Sequence, residues 1–393
     1  MKKILPVFCL YLAALLALPH HARSDQDKVY VGMNAEFSHP TSTSDDAIRQ
    51  GILIAIDEIN RTGGVLGGRR IELVERDNRS VPARAVQHNR ELADKPDMVA
   101  VFGGKFSSAI IESLPVIHEK KLLMMTPWSA NNKVVDNGYR PNYVFRLSIT
   151  DTWAVDAMLN HALKNGLTSI GLLLPNNSWG RSNDEVIQKF VAGKPRMKIT
   201  TTQWYNYGEK SLSEKYSAIL KSGAKAVVLV AIETEGSLLV REMAQLPRSR
   251  RLPVISHASI TGGDFVKMAG EALHNVDMVF PQTYYLSEGG NGRAKSVLEE
   301  AKRLFGIRSP AEIKSPMGLV HAYDLMQILA RAINQAGSTD RARVHAALEN
   351  ITDYDGLIMH YSQPFTEGRH DALSLQNVTM SRYDVQGIIR KIK

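Results

Sequence analysis

The chain is poor in the side chains on which much enzyme chemistry depends. Only one of its 393 residues is a cysteine, and Cys9 lies in an amino-terminal segment read below as a removable leader. Disulfides, thiolate metal sites and a cysteine nucleophile are therefore excluded from the mature product. No G-x-S-x-G elbow, H-E-x-x-H pair, Walker loop or strand-following G-x-G-x-x-G turn occurs, so no catalytic residue is assigned and the chain is not read as an enzyme. The ten histidines beyond the leader never stand three or four residues apart. That spacing removes a local helical metal site, although ligands gathered by folding stay open; no metal or cofactor is expected. Charge of one sign is also scarce. Loss of Lys2, Lys3 and Arg23 with the leader leaves 45 basic against 40 acidic residues, a net charge of +5. The one dense basic group, Arg248, Arg250 and Arg251, sits between Pro247 and Pro253 without interleaved aromatics, and reads as a solvated loop and not a nucleic-acid surface. No apolar run approaches the roughly 20 residues of a bilayer-spanning helix.

What is present begins with export. Lys2 and Lys3 precede the apolar run Ile4 to Leu18, and Ala22 and Ser24 supply an A-x-A-like cleavage site, so residues 1–24 read as a signal peptide and the mature chain as a periplasmic protein starting near Asp25. Cys9 falls in mid-core after Val7 and Phe8, where it does not fit a lipid anchor. Hydrophobic residues make up 44% of the chain, enough for two packed cores at this length.

From Val29 onward short apolar runs alternate with amphipathic stretches, the pattern of parallel sheets covered by helices. Val29–Asn34, Ile71–Arg76, Met98–Phe102 and Leu122–Met125 read as strands. Between the first two, Ile48, Ile52, Ile56 and Ile59 recur at helical spacing, with Ser44 as a cap, Asp45 and Asp46 in the first turn, and Gly63 and Gly64 as the stop. A second set follows Arg146, with strands at Ser169–Leu174, Ile199–Tyr205, Ala226–Val230 and Pro253–Ser256. Helices are expected at Asp151–Lys164, Asp184–Phe190, Leu212–Lys221 and Gly236–Leu246. A strand at Val276–Phe280, a helix at Gly318–Ala336 and an irregular, β-rich tail from Gly356 complete the reading. No linker separates the halves, which points to lobes joined by several crossing segments.

Three phrases carry the chemistry. Val101 to Ser108, VFGGKFSS, places two glycines and two hydroxyls past a strand's carboxyl end, where open α/β sheets bind ligands. Ser107 and Ser108 with the N–H groups of a first helical turn suit a carboxylate or strongly polar oxygen; simple capping of the helix is the alternative. Thr126 to Asn132, TPWSANN, sets Trp128 at the same edge, as pocket wall or core anchor. Trp179, in NNSWG, holds the corresponding loop of the second half, and the two tryptophans can clamp one ligand.

These phrases, together with the helix and G-G-x-x-G turn of Gly51 to Gly67 (GILIAIDEINRTGGVLG), Ile71–Val74, Asp77 and Phe145-Arg146, resemble the periplasmic solute-binding proteins of branched-chain amino acid and amide ABC transporters. The resemblance spans essentially the whole mature chain. It implies the type I periplasmic binding protein fold: α/β, two Rossmann-like lobes with parallel-rich sheets, joined by three crossing segments. Lobe 1 then comprises residues 28–147 plus 281–336, and lobe 2 residues 148–280 plus 337–393. Carried over residue by residue, Ser107 falls on the serine that holds a ligand α-carboxylate, Ser129 on a neighbouring backbone contact, Trp179 on an aromatic that closes over the ligand, and Tyr284 or Tyr285 near a further pocket position. Ser108, Trp128, Ala130, Glu233 and His257 complete the expected ligand-binding set.

Two positions depart from the family's pattern. Ala130 stands in place of the threonine that helps bind the carboxylate, and Ala258 in place of the acidic residue that binds the α-ammonium. An uncompensated buried ammonium costs several kcal/mol, so the ligand is expected not to be an ordinary branched-chain amino acid. Glu233 or Glu235 could supply the missing carboxylate from another direction; otherwise at least one is a solvated helix-start glutamate. The resulting expectation is a monomeric periplasmic receptor that captures a small polar or amphiphilic solute by hinge closure and presents it to an inner-membrane ABC permease. A periplasmic sensor working with a separate kinase, and less so an exported hydrolase, are the alternatives.

Overall fold

The computed structural model describes residues 28–38, 43–288 and 292–392; the expected leader lies outside them. Two sheets form the framework. The first has the order β2-β1-β3-β4-β5 and is parallel throughout. Its strands are β1 (Lys28–Ala35), β2 (Arg70–Asp77), β3 (Met98–Gly103), β4 (Leu123–Thr126) and β5 (Val144–Arg146). β3 is buried along its whole length, as expected of a central parallel strand covered on both faces. Helices α1 (Thr43–Arg61), α2 (Pro82–Ala93) and α3 (Ser107–Glu119) connect them. α1 begins one residue before Ser44, which is therefore inside the helix and not its cap.

The chain then enters the second half through α4 (Asp151–Lys164), capped by the Thr150 hydroxyl, which accepts from the Trp153 N–H at 3.1 Å. Strands β6 (Ser169–Pro175), β7 (Lys198–Tyr205), β8 (Ala226–Leu229), β9 (Val254–Ser256) and β10 (Met278–Gln282) alternate with α5 (Ser178–Ala192), α6 (Ser213–Lys221), α7 (Glu233–Ala244) and the short α8 (Phe265–Ala269). α5 starts six residues before the expected Asp184, because the Asn177 side chain accepts from the Trp179 and Gly180 N–H groups and caps a first turn with no apolar periodicity of its own.

The chain returns to the first half after β10. There α9 (Gly292–Phe305) and α10 (Pro316–Ala336) pack on α1. Gly51 marks the tightest approach: a Cβ there would lie 2.1 Å from the Leu319 carbonyl oxygen of α10. The glycine of the G-I-L-I-A-I motif thus lets two helices touch backbone to backbone.

The tail differs from the expected division. Helix α11 (Arg341–Leu348) belongs to the first half, where Arg341 donates to the carbonyls of Met98 (2.8 Å), Lys120 (3.0 Å) and Ala93 (2.6 Å). The small hairpin of β11 (Tyr354–Asp355) and β12 (His360–Tyr361) follows it there. Asp324 of α10 accepts from the N–H groups of Leu357 and Ile358 and from the Tyr361 hydroxyl. Arg146 of β5 grips Asp371 through Nε (2.5 Å) and Nη2 (3.2 Å). Only β13 (Thr379–Tyr383) and β14 (Ile389–Lys391) join the second sheet, as antiparallel edge strands in the order β14-β13-β10-β9-β8-β6-β7. Residues 337–393 therefore divide between the lobes near Leu373, because buried polar ties, invisible to periodicity, hold residues 341–371 on the first. The crossings fall at Leu147–Thr150, after Gln282, and between Leu373 and Thr379.

Candidate functional site

The carboxyl ends of the central strands of both sheets face one narrow cleft. Lys105, Phe106, Ser107 and Ser108 come from the turn after β3, Trp128 and Ala130 from the loop after β4. Opposite them stand Asn177, Ser178 and Trp179 after β6, Tyr207 after β7, Ile232 after β8 and Ser259 after β9. In each sheet the strand order reverses at this place, which opens the crevice where α/β sheets receive ligands. The free space between the walls is about 20 Å³, room for about one water.

Ser107 is the first residue of α3. The residue before it, Phe106, holds the capping position and offers no side-chain acceptor. The first-turn N–H groups are therefore left without a side-chain cap at the cleft wall. Ser107 is buried there. The loop that carries it is anchored by Asp45 of α1, whose Oδ1 accepts from the Lys105 N–H (2.7 Å) and whose Oδ2 accepts from the Glu36 N–H (3.0 Å). Burial pushes the Asp45 carboxyl up to about 7, against the opposing pull of Lys105 and its two backbone donors.

Lys105 crosses the cleft. Its Nζ is 3.4 Å from Glu36 of its own lobe and 3.8 Å from Glu233 at the start of α7, with both carboxylate oxygens of Glu233 buried and without a hydrogen-bond donor. Burial raises the Glu233 carboxyl, with Lys105 opposing. For Lys105, burial works against the charge, but Glu233, Asp45 and Glu36 outweigh it and raise its pKa, so the ammonium is retained. Further ties join the lobes: Asn131 Nδ2 donates to the Ser178 carbonyl (3.1 Å) and Lys314 pairs with Asp264 (3.0 Å).

Trp179 is fixed by the first residue of α4, just past the first crossing. Its indole N–H donates to Asp151 Oδ1 (3.0 Å), and Asp151 is fully buried, its own N–H bonded to the Ala130 carbonyl (2.8 Å). Behind the indole, the His257 ring packs edge-on at 5.1 Å.

A family model for periplasmic binding proteins matches residues 28–382. The chain belongs to the periplasmic binding protein family. An amino acid binding protein of Pseudomonas aeruginosa is 25% identical over 344 residues, 86% of each chain. The leucine-, isoleucine-, valine-, threonine- and alanine-binding protein of the same organism is 22% identical over 334 residues, 83% of each. Among solved structures, a type 1 periplasmic binding protein from Bordetella pertussis superposes with a TM-score of 0.81 at 22% identity, covering 93% of this chain and 99% of that one. A branched-chain amino acid binding protein of Streptococcus pneumoniae in complex with isoleucine gives 0.77 at 18% identity, over 92% and 98% of the chains. A solute binding protein from R. palustris in complex with 4-hydroxybenzoate gives 0.78 at 17%, over 93% and 96%. At these identities the likeness is one of fold.

Within the family's fold the expected set separates. Ser107, Ser108, Trp128, Ala130 and Trp179 line the cleft together. Ser129, His257 and Tyr284 do not. The Ser129 hydroxyl donates to the Gly104 carbonyl at 3.1 Å and its carbonyl accepts from Arg146, so both polar groups serve the loop. His257 lies behind Trp179, with Nδ1 accepting from the Ser259 N–H. Tyr284 lines a separate cavity of about 280 Å³ beside Lys314, Tyr383 and Ile389. Ala258 is fully buried. Glu233 and Glu235 are both buried as well, so neither is a solvated helix-start residue; Glu235 accepts from the Gly208 N–H at 3.0 Å. Lys105, Phe106, Asn177, Ser178, Tyr207, Ile232, Ser259 and Asp151 were missed. A lysine inside a glycine-rich strand-end turn was the available signal for the first; Asp151 had none, since only folding sets it beneath Trp179.

Proposed function

We propose that this protein is the periplasmic substrate-binding component of an ABC transporter, closing its two lobes on a small amphiphilic carboxylate or amide. The single observation that carries the reading is the composite cleft: the uncapped first turn of α3 with Ser107 on one wall, and Trp128, Trp179, Phe106 and Tyr207 around it. Uncapped N–H groups and a serine hydroxyl favour an anionic or carbonyl oxygen; four aromatic rings favour a flat or apolar body. The ligand class is narrowed by Lys105. Glu233 is a buried carboxylate able to replace the acid absent at Ala258, and it already faces the Lys105 ammonium. A second ammonium, from an amino acid, would compete with Lys105 for that carboxylate at a desolvation cost. Relatives in complex with isoleucine or with 4-hydroxybenzoate bracket the choice, and the Lys105–Glu233 pair favours carboxylates that lack an α-ammonium.

Calorimetry with the mature chain, titrated with leucine and with benzoate-type carboxylates, tests this. Tighter binding of the ammonium-free acids is expected, weakened by about 1–3 kcal/mol in Ser107→Ala through loss of a buried hydrogen bond. Micromolar leucine binding that Ser107→Ala leaves undiminished would overturn both the pocket and the ligand class.

A further inference from the structure

Far from the cleft, on the first lobe, α11 and the tail bring His345, Glu349 and His370 together, with one ligand atom from each lying within 4.8 Å of the others. The hydrogen bonds settle how each ring is oriented. His345 Nε2 meets the Asn142 carbonyl at 2.9 Å, and His370 Nδ1 meets the Val144 carbonyl at 2.9 Å. A carbonyl only accepts, so each of these nitrogens carries a hydrogen. In the neutral rings the remaining nitrogens, His345 Nδ1 and His370 Nε2, are bare electron-pair donors. Both face the same carboxylate: Glu349 Oε2 is 3.7 Å from His345 Nδ1, and Oε1 is 3.1 Å from His370 Nε2. Either a proton on one ring or a metal cation must lie between these three groups, since the His370 Nε2–Glu349 contact has hydrogen-bond length.

We propose that His345 Nδ1, His370 Nε2 and Glu349 form a binding site for a divalent transition metal, with Zn²⁺ the best match. Two imidazoles and a carboxylate suit zinc, whereas Mg²⁺ and Ca²⁺ take oxygen donors. Ligands about 2.0–2.2 Å from a tetrahedral zinc stand roughly 3.3 Å apart, so the observed separations need only small side-chain movements. The outer contacts are those of a built metal site, since each imidazole gives its second N–H to a backbone carbonyl. Packing fixes the rings further: His370 stacks on Phe145 at 4.1 Å and His345 leans on Tyr143 at 4.7 Å. A surface cavity lined by Asp136, Arg140, Asn142, Glu367, Arg369 and His370 opens beside one of the three ligands. The metal would join α11, the β5 approach and the segment that leads to the third crossing.

The test uses tag-free, chelator-stripped mature protein. Calorimetry should show one saturable Zn²⁺ per chain and none for Mg²⁺, and Co²⁺ should give the visible spectrum of a four-coordinate site. His370→Gln and Glu349→Gln should each weaken Zn²⁺ binding by at least about 100-fold, the upper range seen for loss of outer-shell partners alone. His360→Ala, at an exposed histidine beside Asp353 and Asp355, should leave it unchanged. Should a variant unfold, imidazole ¹⁵N shifts of the wild type decide, because Zn²⁺ must move Nδ1 of one ring and Nε2 of another. Absence of saturable Zn²⁺ uptake, or uptake lost in His360→Ala and retained in His370→Gln, would overturn the site.

Discussion

Ser107 and Trp179 owe their places to partners far away in sequence. Asp45 holds the turn that presents Ser107, and both of its oxygens accept from N–H groups. Asp45→Asn would set an amide NH₂ against one of those donors. A loss of about 1–3 kcal/mol of stability is expected from urea unfolding, because a buried donor is left unpaired. His321 gives a prediction in pH. Its Nδ1 donates to the Pro127 carbonyl (3.0 Å) and its Nε2 meets the Thr283 hydroxyl at the second crossing (2.8 Å). Burial lowers its pKa from 6.5 to about 4, against the pull of the Pro127 carbonyl. A base whose folded pKa is depressed contributes full stability above about pH 6.5 and loses it as pH falls toward 4. That loss amounts to about 3 kcal/mol for His321. Replacing His321 by Gln should flatten the acid limb of the stability-versus-pH curve by this order; an unchanged limb would show that the ring does not titrate there. At this scale the sequence disclosed hydroxyls and tryptophans, whose types announce their chemistry. It hid Asp151 and Asp45, whose roles consist of bonds to residues 28 and 60 positions away.

Helices and strands were the most legible level, because burial on both faces of a parallel sheet writes continuous apolar runs into the chain and each covering helix writes a stripe. β3 and α4 fall where those signals put them. α2 and α9 were missed altogether, although both carry a buried apolar stripe; other failures came where an element is held by something other than apolar periodicity. α5 starts at an asparagine cap, and α11 docks through the carbonyl contacts of Arg341. The start of α5 also carries a sharp packing constraint. A Cβ on Gly180 would lie 1.8 Å from the Pro175 carbonyl oxygen, so the helix can follow β6 this closely only with glycine there. Gly180→Ala is expected to destabilise by about 1–3 kcal/mol through overpacking and, by displacing Trp179, to weaken ligand binding. A variant as stable as the wild type in chemical denaturation would contradict this account of the turn.

At the scale of the molecule, two α/β lobes meet at the cleft beside their crossings. Lys105–Glu233 and Lys314–Asp264 are the ion pairs that span the gap among the described residues; the first is buried, where separating the partners is costly, and the second is a partly exposed pair worth about 0–1 kcal/mol. Under the proposed function the lobes hinge, and ligand contacts available only in the closed form shift the population toward closure. Lys314→Ala, which removes a surface tie remote from the Ser107 wall, should weaken ligand binding less than threefold, since surface pairs contribute about 0–1 kcal/mol. The two-lobed plan was legible from the doubled strand–helix series, whereas the return of residues 341–371 to the first lobe was not. The most direct test of a receptor that works by closure is small-angle scattering of the mature chain with and without a ligand at calorimetrically verified saturation. A smaller radius of gyration is expected with ligand; an unchanged profile would contradict closure.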